Sequence, residues 1–383
     1  MRVQAIDPKE LGDSETRAWH ALRAEAGCYS SPYFHPRFTQ IVGQSRPDAR
    51  VLVIEADGAI VGFWPLHHRP DGFGRPIGQP FSDQNGPILG QGAPPLGHVL
   101  RASGLWGAAF TAAPASVAGL QGYAQGSAES GMIALQQGND ASLDPLRGKT
   151  GSHFKSLRRR ERRAIEAYGA VETRWGEVHS DTMALLMAWK HTQFLRTGLF
   201  DVFKPVWVRT VIDQLFAERD GAFRGVLSTL RFGETPVAME FGLVDGGHLH
   251  SWIAAYDPAY GHFSPGHLLL TALIKDGPGR GLDVIELGMG ADYYKKNYVT
   301  HGLALVRGLV RAQSVKGALR SLPQRLWTAT EDANIRGVSD LFARTRRRVD
   351  NIVSAELSIG GRLRGMAQAV AAVRPAPVPA QAD

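Results

Sequence analysis

An acidic residue stands among small and apolar neighbours in the segment TPVAMEFGLV, in the second half of the 383-residue chain. Strand alternation predicts that this residue, Glu240, shares one face with the small Ala238 and Gly242. The opposite face then carries Val237, Met239, Phe241 and Leu243. A carboxyl group in such a place has a raised pKa and could act as a general base, and a structural ion pair is the other interpretation.

Two histidines follow at alternate positions of the next predicted strand, HLHSWIAAY. A period of two puts His248, His250, Trp252 and Tyr256 on one face, with Asp257 at the end of the strand. Histidines at i and i+2 can bind a metal ion, but no third ligand follows at a suitable spacing. We therefore predict no metal site and interpret the strand as one wall of a cleft.

A possible anion site follows where this strand leads into a predicted helix over residues 265–275. The start of that helix is Ser264-Pro265-Gly266, and serine followed by proline is typical of a helix N-terminus. Free backbone N–H groups and the helix dipole would favour a pyrophosphate there. A plain helix cap without a ligand is the alternative.

A tyrosine and a lysine follow the next predicted strand, just after Gly288-Met289-Gly290. Side chains in this position reach the mouth of an α/β sheet. Lys295 could neutralise a phosphate or an oxyanion, and Tyr294 could protonate a departing thiolate. The alternative is a surface lysine beside a packed tyrosine.

Six cations and one acid occupy the segment KSLRRRERR, within a helix predicted over residues 153–167. Helical geometry puts Lys155, Arg158, Arg159 and Arg162 on one face. Their mutual repulsion favours an anionic ligand such as a sugar nucleotide, a lipid pyrophosphate, a membrane surface or tRNA, whereas a solvated charged face is the ordinary interpretation. Aromatic residues do not interleave with the cations, so sequence-specific RNA binding is not expected.

The elements that must position these residues form a repeat. Residues 51–66 predict a hairpin around Asp57-Gly58, and residues 225–244 predict a second one around Gly233-Glu234. The downstream strands correspond, so the same unit occurs twice, as in a duplicated domain. Gly- and Pro-rich loops follow the first hairpin, and one of them, FSDQNGPI, holds Asp83 where the two lobes could meet. A turn aspartate that caps its own backbone is the alternative for Asp83.

Composition and charge limit the cellular setting. The net charge of +7 suits an anionic partner, and the length suggests two domains. Cys28 is the one cysteine, which excludes an intramolecular disulfide and a cysteine-based zinc site. Since no apolar stretch is long enough to span a membrane, we expect a cytoplasmic protein, with peripheral attachment to the inner membrane left open.

Several segments, in order, resemble a known family: IVGFWPL and FSDQNGPI in the first half, then the basic helix, TPVAMEF, AYDPAYGHFSPGHLLL and ELGMGADYYKK. The chain is similar over about residues 30–310 to the CelD-like acetyltransferases of cellulose and exopolysaccharide biosynthesis. That group belongs to the GNAT superfamily and is related to the FemAB transferases.

The resemblance implies an α/β fold with a mixed sheet, made of two tandem GNAT-like domains. They would cover residues 1–150, on the acceptor side, and 151–315, with the donor site, followed by a helical basic tail at 316–383 with a disordered end. The reaction would be N-acylation of an amine by acetyl-CoA, without a metal, on an amino sugar or polysaccharide precursor. The implied catalytic residues are Glu240 or Asp257 as base, Tyr256 or Tyr294 as acid, and Lys295. The implied binding residues are Ser264, Pro265, Gly266 and His267 for the donor, and Asp83, Arg158, Arg159 and Arg162 for the acceptor.

Two alternatives stay open at this point. Ser264-Pro265-Gly266 replaces the fuller Gly-rich pyrophosphate signature of typical GNAT enzymes, and FemAB relatives use aminoacyl-tRNA on the same fold. A non-catalytic scaffold of a polysaccharide machine, docking through its basic tail, would bind no donor at all. Neither reading involves DNA.

Overall fold

The computed structural model describes residues 1–138, 140–197, 200–290 and 294–312, together with Ser354 and Gly360. The predicted basic tail at 316–383 therefore lies outside the described residues, apart from those two. Within the described ranges, no helix is long and apolar enough to cross a membrane.

Strands and helices are mixed along this part of the chain, with two runs of consecutive strands, β2 to β5 and β9 to β11. The strands are β1 (Arg2–Ile6), β2 (Ala49–Ala56), β3 (Ala59–His68), β4 (Phe73–Pro76), β5 (Ile88–Leu89), β6 (Gly107–Pro114), β7 (Ala124–Ala134), β8 (Val171–Trp175), β9 (Phe223–Phe232), β10 (Thr235–Asp245), β11 (His248–Tyr256), β12 (Val284–Met289) and β13 (His301–Arg311). The helices are α1 (Asp13–Ala26), α2 (Pro36–Ser45), α3 (Leu96–Ala102), α4 (Asp144–Tyr168), α5 (Ser180–Thr197), α6 (Val206–Ala217) and α7 (Pro265–Asp276).

The described strands form one mixed sheet in the order β1-β2-β3-β4-β6-β13-β7-β12-β11-β10-β9-β8, with β5 beside β3. Both halves of this order contain the same unit. From each outer edge, three antiparallel pairings lead to one parallel pairing, β4 with β6 in the first half and β11 with β12 in the second. The mixed α/β fold and the duplication are thus confirmed.

The two halves exchange their last strands. β7 pairs with β12 of the second half, and β13 pairs with β6 of the first half, while β7 and β13 also pair with each other. Residues 301–311 therefore complete the sheet of the first half. The domain boundaries at residues 150 and 315 stay a prediction.

Both predicted hairpins are present. The first turns at Asp57 and Gly58, which both have positive φ, as a primed turn requires. The basic helix is longer than predicted: α4 begins at Asp144 and is kinked at Thr150, whose φ of −137° and ψ of 50° are not helical. Sequence periodicity located only the straight half that follows the kink.

Helices cover the second half of the sheet on both faces. One face packs against α4 and α7, and the other packs against α2, α5 and α6. The predicted alternation on β10 is wrong at Val237, which packs with Ala238 on the α4/α7 face. A register shift between Pro236 and Ala238 in the pairing with β9 inserts Val237 as an extra residue and breaks the period of two.

Candidate functional site

The parallel strands β11 and β12 part in the middle of the sheet. Their pairing covers residues 248–250 with 284–286 and ends at His250 and Glu286. The side chains of those two residues, with that of His248, form a buried polar cluster on the α2/α5/α6 face, where the ring of Tyr33 packs against His250. The cluster thus lies where the strands separate.

Glu286 is fully buried, yet all its neighbours favour its charge. Gln84 Nε2 donates to Oε1 at 2.6 Å, Ser130 Oγ donates to the same oxygen at 2.5 Å, and His248 Nε2 donates to Oε2 at 2.9 Å. Burial would raise the pKa of Glu286, but the charge of His250 and the hydrogen bonds from the two histidines hold it well below its usual value. Glu286 is therefore ionised at neutral pH.

His250 lies between two carboxylates. Its Nδ1 is 3.1 Å from Glu286 Oε2, and its Nε2 is 2.9 Å from Asp83 Oδ2. Burial would lower the pKa of His250, but Glu286 and Asp83 outweigh burial and raise that pKa to about 10. His250 is thus an imidazolium at neutral pH, not a base. Its Nε2 contacts Asp83, whose side chain is 38% exposed and is the part of the cluster that solvent reaches.

The cluster contains polar groups that the described residues do not satisfy. Tyr33 Oη and Gln84 Oε1 are both buried and have no hydrogen-bond partner in the described part of the chain. The backbone also approaches closely: a Cβ atom on Gly288, whose φ is 72°, would lie 2.8 Å from Asp83 Oδ2. Gly288 therefore leaves the space that Asp83 occupies.

On the opposite face of the sheet, the N-terminus of α7 carries a second polar group. Ser264 has a left-handed backbone (φ 56°, ψ 52°), and its hydroxyl accepts a hydrogen bond from the Arg160 guanidinium. Tyr298 Oη lies 3.0 Å from both His153 Nε2 and His267 Nδ1. Burial, reinforced by His153 and Arg160, lowers the pKa of His267 to about 4. At neutral pH the imidazole is neutral, and Arg160 supplies the positive charge at this helix end.

Glu240 and Tyr256 lie on this α7 face. Burial raises the pKa of Glu240 to about 7, although a hydrogen bond from Ser251 and the charge of His250 oppose it. Its Oε1 is buried and unpartnered among the described residues. Tyr256 is 43% exposed, and its ring is 3.8 Å from where a Cβ on Gly266 would be.

The prediction that His248, His250, Trp252 and Tyr256 share a face is wrong for Tyr256. Pairing with β10 shifts register next to Trp252, which is an extra residue on β11. Ile253 and Ala255 then pack with Trp252 on the α2/α5/α6 face, so Tyr256 projects to the other face. The bulge therefore places His248 and His250 of β11 on one face of the sheet and Tyr256 on the other.

Other predicted residues have local structural contacts. Asp257 caps a turn, accepting from the Ala259 N–H at 2.9 Å. Lys295 is buried and donates to the carbonyl oxygens of Gly288 and Met289 at the end of β12. The Tyr294 ring lies edge-on to His267, 5.9 Å between centroids.

The predicted acceptor residues do not all come together. Asp83 joins the buried cluster, whereas Arg158, Arg159 and Arg162 are exposed on α4 and form no ion pair or hydrogen bond with described residues. Arg160, which no prediction singled out, is the α4 cation that reaches the end of α7. Its side chain leaves the helix between the exposed cations and the buried Leu157 and Ala164, which a helical wheel could have shown.

His248 and His250 were predicted to line the wall of a cleft and not to bind a metal ion, and no role was predicted for Gln84 or Ser130. In the described residues, no group of three or more His, Cys, Asp or Glu side chains could hold a metal ion. The histidines instead hold carboxylates. One feature of the sequence could have indicated this role, namely a Glu on the strand that pairs with the histidine strand.

Residues 151–296 match the family model of the acetyltransferase (GNAT) domain. The matched GNAT segment contains Glu240, His250, Glu286 and all of α7, but not Asp83, which comes from the first half. This match supports an acyltransferase. No curated protein matches the chain.

Solved structures similar to the chain have low sequence identity. L-PGS from Bacillus licheniformis is 13% identical, with 82% of this chain and 98% of that chain covered, at a TM-score of 0.46. A tandem GNAT protein from the clavulanic acid biosynthesis pathway is 11% identical, with 82% and 99% covered, at 0.46. FemX is 10% identical, with 81% and 96% covered, at 0.44.

Proposed function

We propose that the chain is an acyltransferase that moves an acyl group from the thioester of acetyl-CoA to an amine. The donor would bind on the α7 face, its pyrophosphate at the helix N-terminus beside Arg160. The acceptor would bind on the opposite face at Asp83. The two substrates would meet where β11 and β12 part.

The observation that carries this proposal is the Asp83–His250–Glu286 cluster inside the opening of a GNAT-type sheet. The carboxylates of Asp83 and Glu286 lie on either side of the His250 ring, and Asp83 is the member of the cluster that solvent reaches. A carboxylate held in this way suits an ammonium group, which would bring its nitrogen to the opening. The acetyltransferase family of residues 151–296 supplies the reaction type.

Starting from the ammonium, the reaction needs two protons removed from nitrogen and one added to sulfur. The ammonium loses its first proton to a base, and the neutral nitrogen attacks the thioester carbonyl carbon. The nitrogen then loses its second proton as the C–S bond breaks, and the thiolate takes up one proton, so that one proton is released overall. Glu240 is our candidate base, since a pKa of about 7 lets it accept a proton at neutral pH. Tyr256 and Tyr294 are the candidate acids, and both are partly exposed beside α7.

Calorimetric titration with CoA and acetyl-CoA tests the donor. We expect binding of both, with weaker binding to Arg160→Ala. A lack of binding near millimolar concentration would remove CoA as the donor. Release of CoA thiol in the presence of amino sugars, amino acids and polyamines would then identify the acceptor, for which an amino sugar or polysaccharide precursor is our proposal.

A second candidate donor is aminoacyl-tRNA, and the exposed face of α4 is the observation that favours it. Lys155, Arg158, Arg159, Arg162 and Arg163 are all exposed and unpaired within the described residues. Such a face suits a polyanion. Gel-shift titration with total tRNA at two salt concentrations tests this candidate: salt-sensitive tRNA binding, together with no response to CoA, would replace the first proposal. An anionic membrane surface is a further partner for this face.

A further inference from the structure

The first half of the sheet has its own parallel pair that parts. β4 and β6 pair only at residues 73–74 with 107–108, and β4 then ends at Pro76. By the repeat, this opening is the counterpart of the one between β11 and β12. A loop of the same chain occupies this first opening.

Residues 77–87, here called the spanning loop, connect β4 to β5, and the end of this loop lies against β6 in the first opening. The Asn85 N–H donates to the Ala112 carbonyl at 3.1 Å. The Asn85 side chain also pairs with Thr111 in both directions, at 2.8 Å each: Nδ2 donates to Oγ1, and the Thr111 N–H donates to Oδ1. Asn85 thus pairs with β6 where a neighbouring strand would.

The next residues of the chain seal the opening further. Gly86 has a φ of 136°, and a Cβ atom there would lie 2.9 Å from the Ala113 Cβ, so the loop backbone is packed against β6. Ile88 and Leu89 then pair with β3. Residues 85–89 therefore run between β6 and β3 beyond the end of β4.

The same loop reaches the second half. The Phe81 ring packs against Trp252 at 5.5 Å, and the Trp252 indole N–H donates to the Phe81 carbonyl. Asp83 contacts His250 and Gln84 contacts Glu286, immediately before Asn85 contacts β6. Three consecutive residues thus connect the two openings.

We propose that the spanning loop is a permanent occupant of the first opening, and that Asn85 is a positioning residue whose pairing with Thr111 holds Asp83 and Gln84 in the second. The chain then binds one donor molecule, not two, and the first half serves the acceptor. The identity of that donor rests on the proposed function, whereas the positioning role does not.

Stoichiometry tests the occupied opening. Calorimetric titration of the full chain with CoA is expected to give one site per chain, and two sites would overturn the proposal. If CoA does not bind at all, the proposed donor fails, and the positioning role is decided by the second experiment.

The second experiment follows the His250 ring by NMR of ¹⁵N-labelled histidine in the full chain. Thr111→Val keeps the shape of the side chain but removes the oxygen that Asn85 binds, and Thr111→Ser keeps that oxygen. In the wild type and Thr111→Ser we expect His250 to stay protonated at pH 8. In Thr111→Val and Asn85→Ala it should titrate at least one pH unit lower than in the wild type, because Asp83 is no longer held beside it.

Kinetics provides an independent readout once an acceptor is known. Thr111→Val should raise the KM for the acceptor about fivefold and leave the KM for the donor within twofold. An unchanged His250 titration in both folded variants would overturn the positioning role. So would equal effects of Thr111→Val and Thr111→Ser.

Discussion

Two clusters of this protein each join a histidine to a carboxylate. They differ in whether all of their polar groups have hydrogen-bond or ion-pair partners. In the first half, Asp48 accepts from Arg46 at 2.7 and 2.8 Å and from Arg69 at 2.9 Å, and lies 3.2 Å from His67 Nδ1. His67 Nε2 accepts from the Gly78 N–H, and Arg46 stacks on Trp207. Each of these groups has a partner.

The second cluster is incomplete by comparison. Asp83 is part-exposed, and Tyr33 Oη and Gln84 Oε1 lack partners among the described residues. The two histidines also differ: burial and Arg46 lower the pKa of His67 to about 4, whereas Glu286 and Asp83 raise that of His250 to about 10 despite burial. A saturated cluster stabilises a fold, and an unsaturated one at an opening can bind a substrate.

The comparison predicts the largest stability loss in the saturated cluster. Asp48→Asn leaves the buried Arg46 and Arg69 without their counter-charge, so we expect the free energy of unfolding to fall by about 3–5 kcal/mol. Urea titration measures this change. Glu55→Gln, which removes an exposed pair with Arg2, is the matched control and should change it by less than about 0.5 kcal/mol. Equal losses in the two variants would contradict the distinction.

Asp83→Asn should instead reduce activity strongly and change stability little. We expect kcat/KM for the amine to fall about 100-fold, because the amide no longer attracts an ammonium, with CoA affinity unchanged. Stability should change by less than about 1 kcal/mol, since Asp83 is part-exposed. Asp57→Asn, in the turn between β2 and β3, is the control and should keep full activity. A stability loss as large as that of Asp48→Asn would make Asp83 structural.

The two clusters also show which features could be predicted from the sequence and which could not. The repeated hairpins and the start of α7 depend on local periodicity and turn residues, such as Asp57-Gly58, and were predicted correctly. The contact between Asp83 and His250 joins residues 167 positions apart, and it exists only because the spanning loop crosses from one half to the other. Local patterns carry no information on such a crossing.

The bulges limited the rest of the prediction. A strict period of two on β10 and β11 assigns Val237 and Tyr256 to the wrong faces, because each strand carries one extra residue. Glu240 lies beyond the bulge at Val237, where the period of two is regular again, so it was placed with its small neighbours as the structure shows. A bulge changes the faces of all residues beyond it, so one unnoticed residue separates Tyr256 from the histidines.

Glu240 should give a pH dependence that neither cluster explains. Its pKa of about 7 implies that kcat/KM rises roughly tenfold from pH 6 to pH 8 as the carboxyl ionises, and that Glu240→Gln abolishes this rise. The folded pKa lies above the ordinary 4.5, so burial of the protonated form contributes stability that is present below pH 4.5 and is lost as pH rises to about 7. Glu240→Gln should therefore lose less stability than the wild type over that range. An unchanged pH–rate profile in this variant would exclude Glu240 as the base.

The smallest expected effect is a difference in CoA binding between variants of Arg160 and Arg158, two cations of α4. Arg160 contacts Ser264 at the N-terminus of α7, whereas Arg158 is exposed and unpaired within the described residues. Arg160→Ala should weaken CoA binding about fivefold, since one guanidinium near a phosphate is screened by solvent, and Arg158→Ala should change it by less than twofold. Calorimetry at low and high salt measures both, and the difference should shrink as salt rises. If Arg158→Ala weakens CoA binding as much as Arg160→Ala, the donor contacts the whole cationic face of α4 and not only the end of α7.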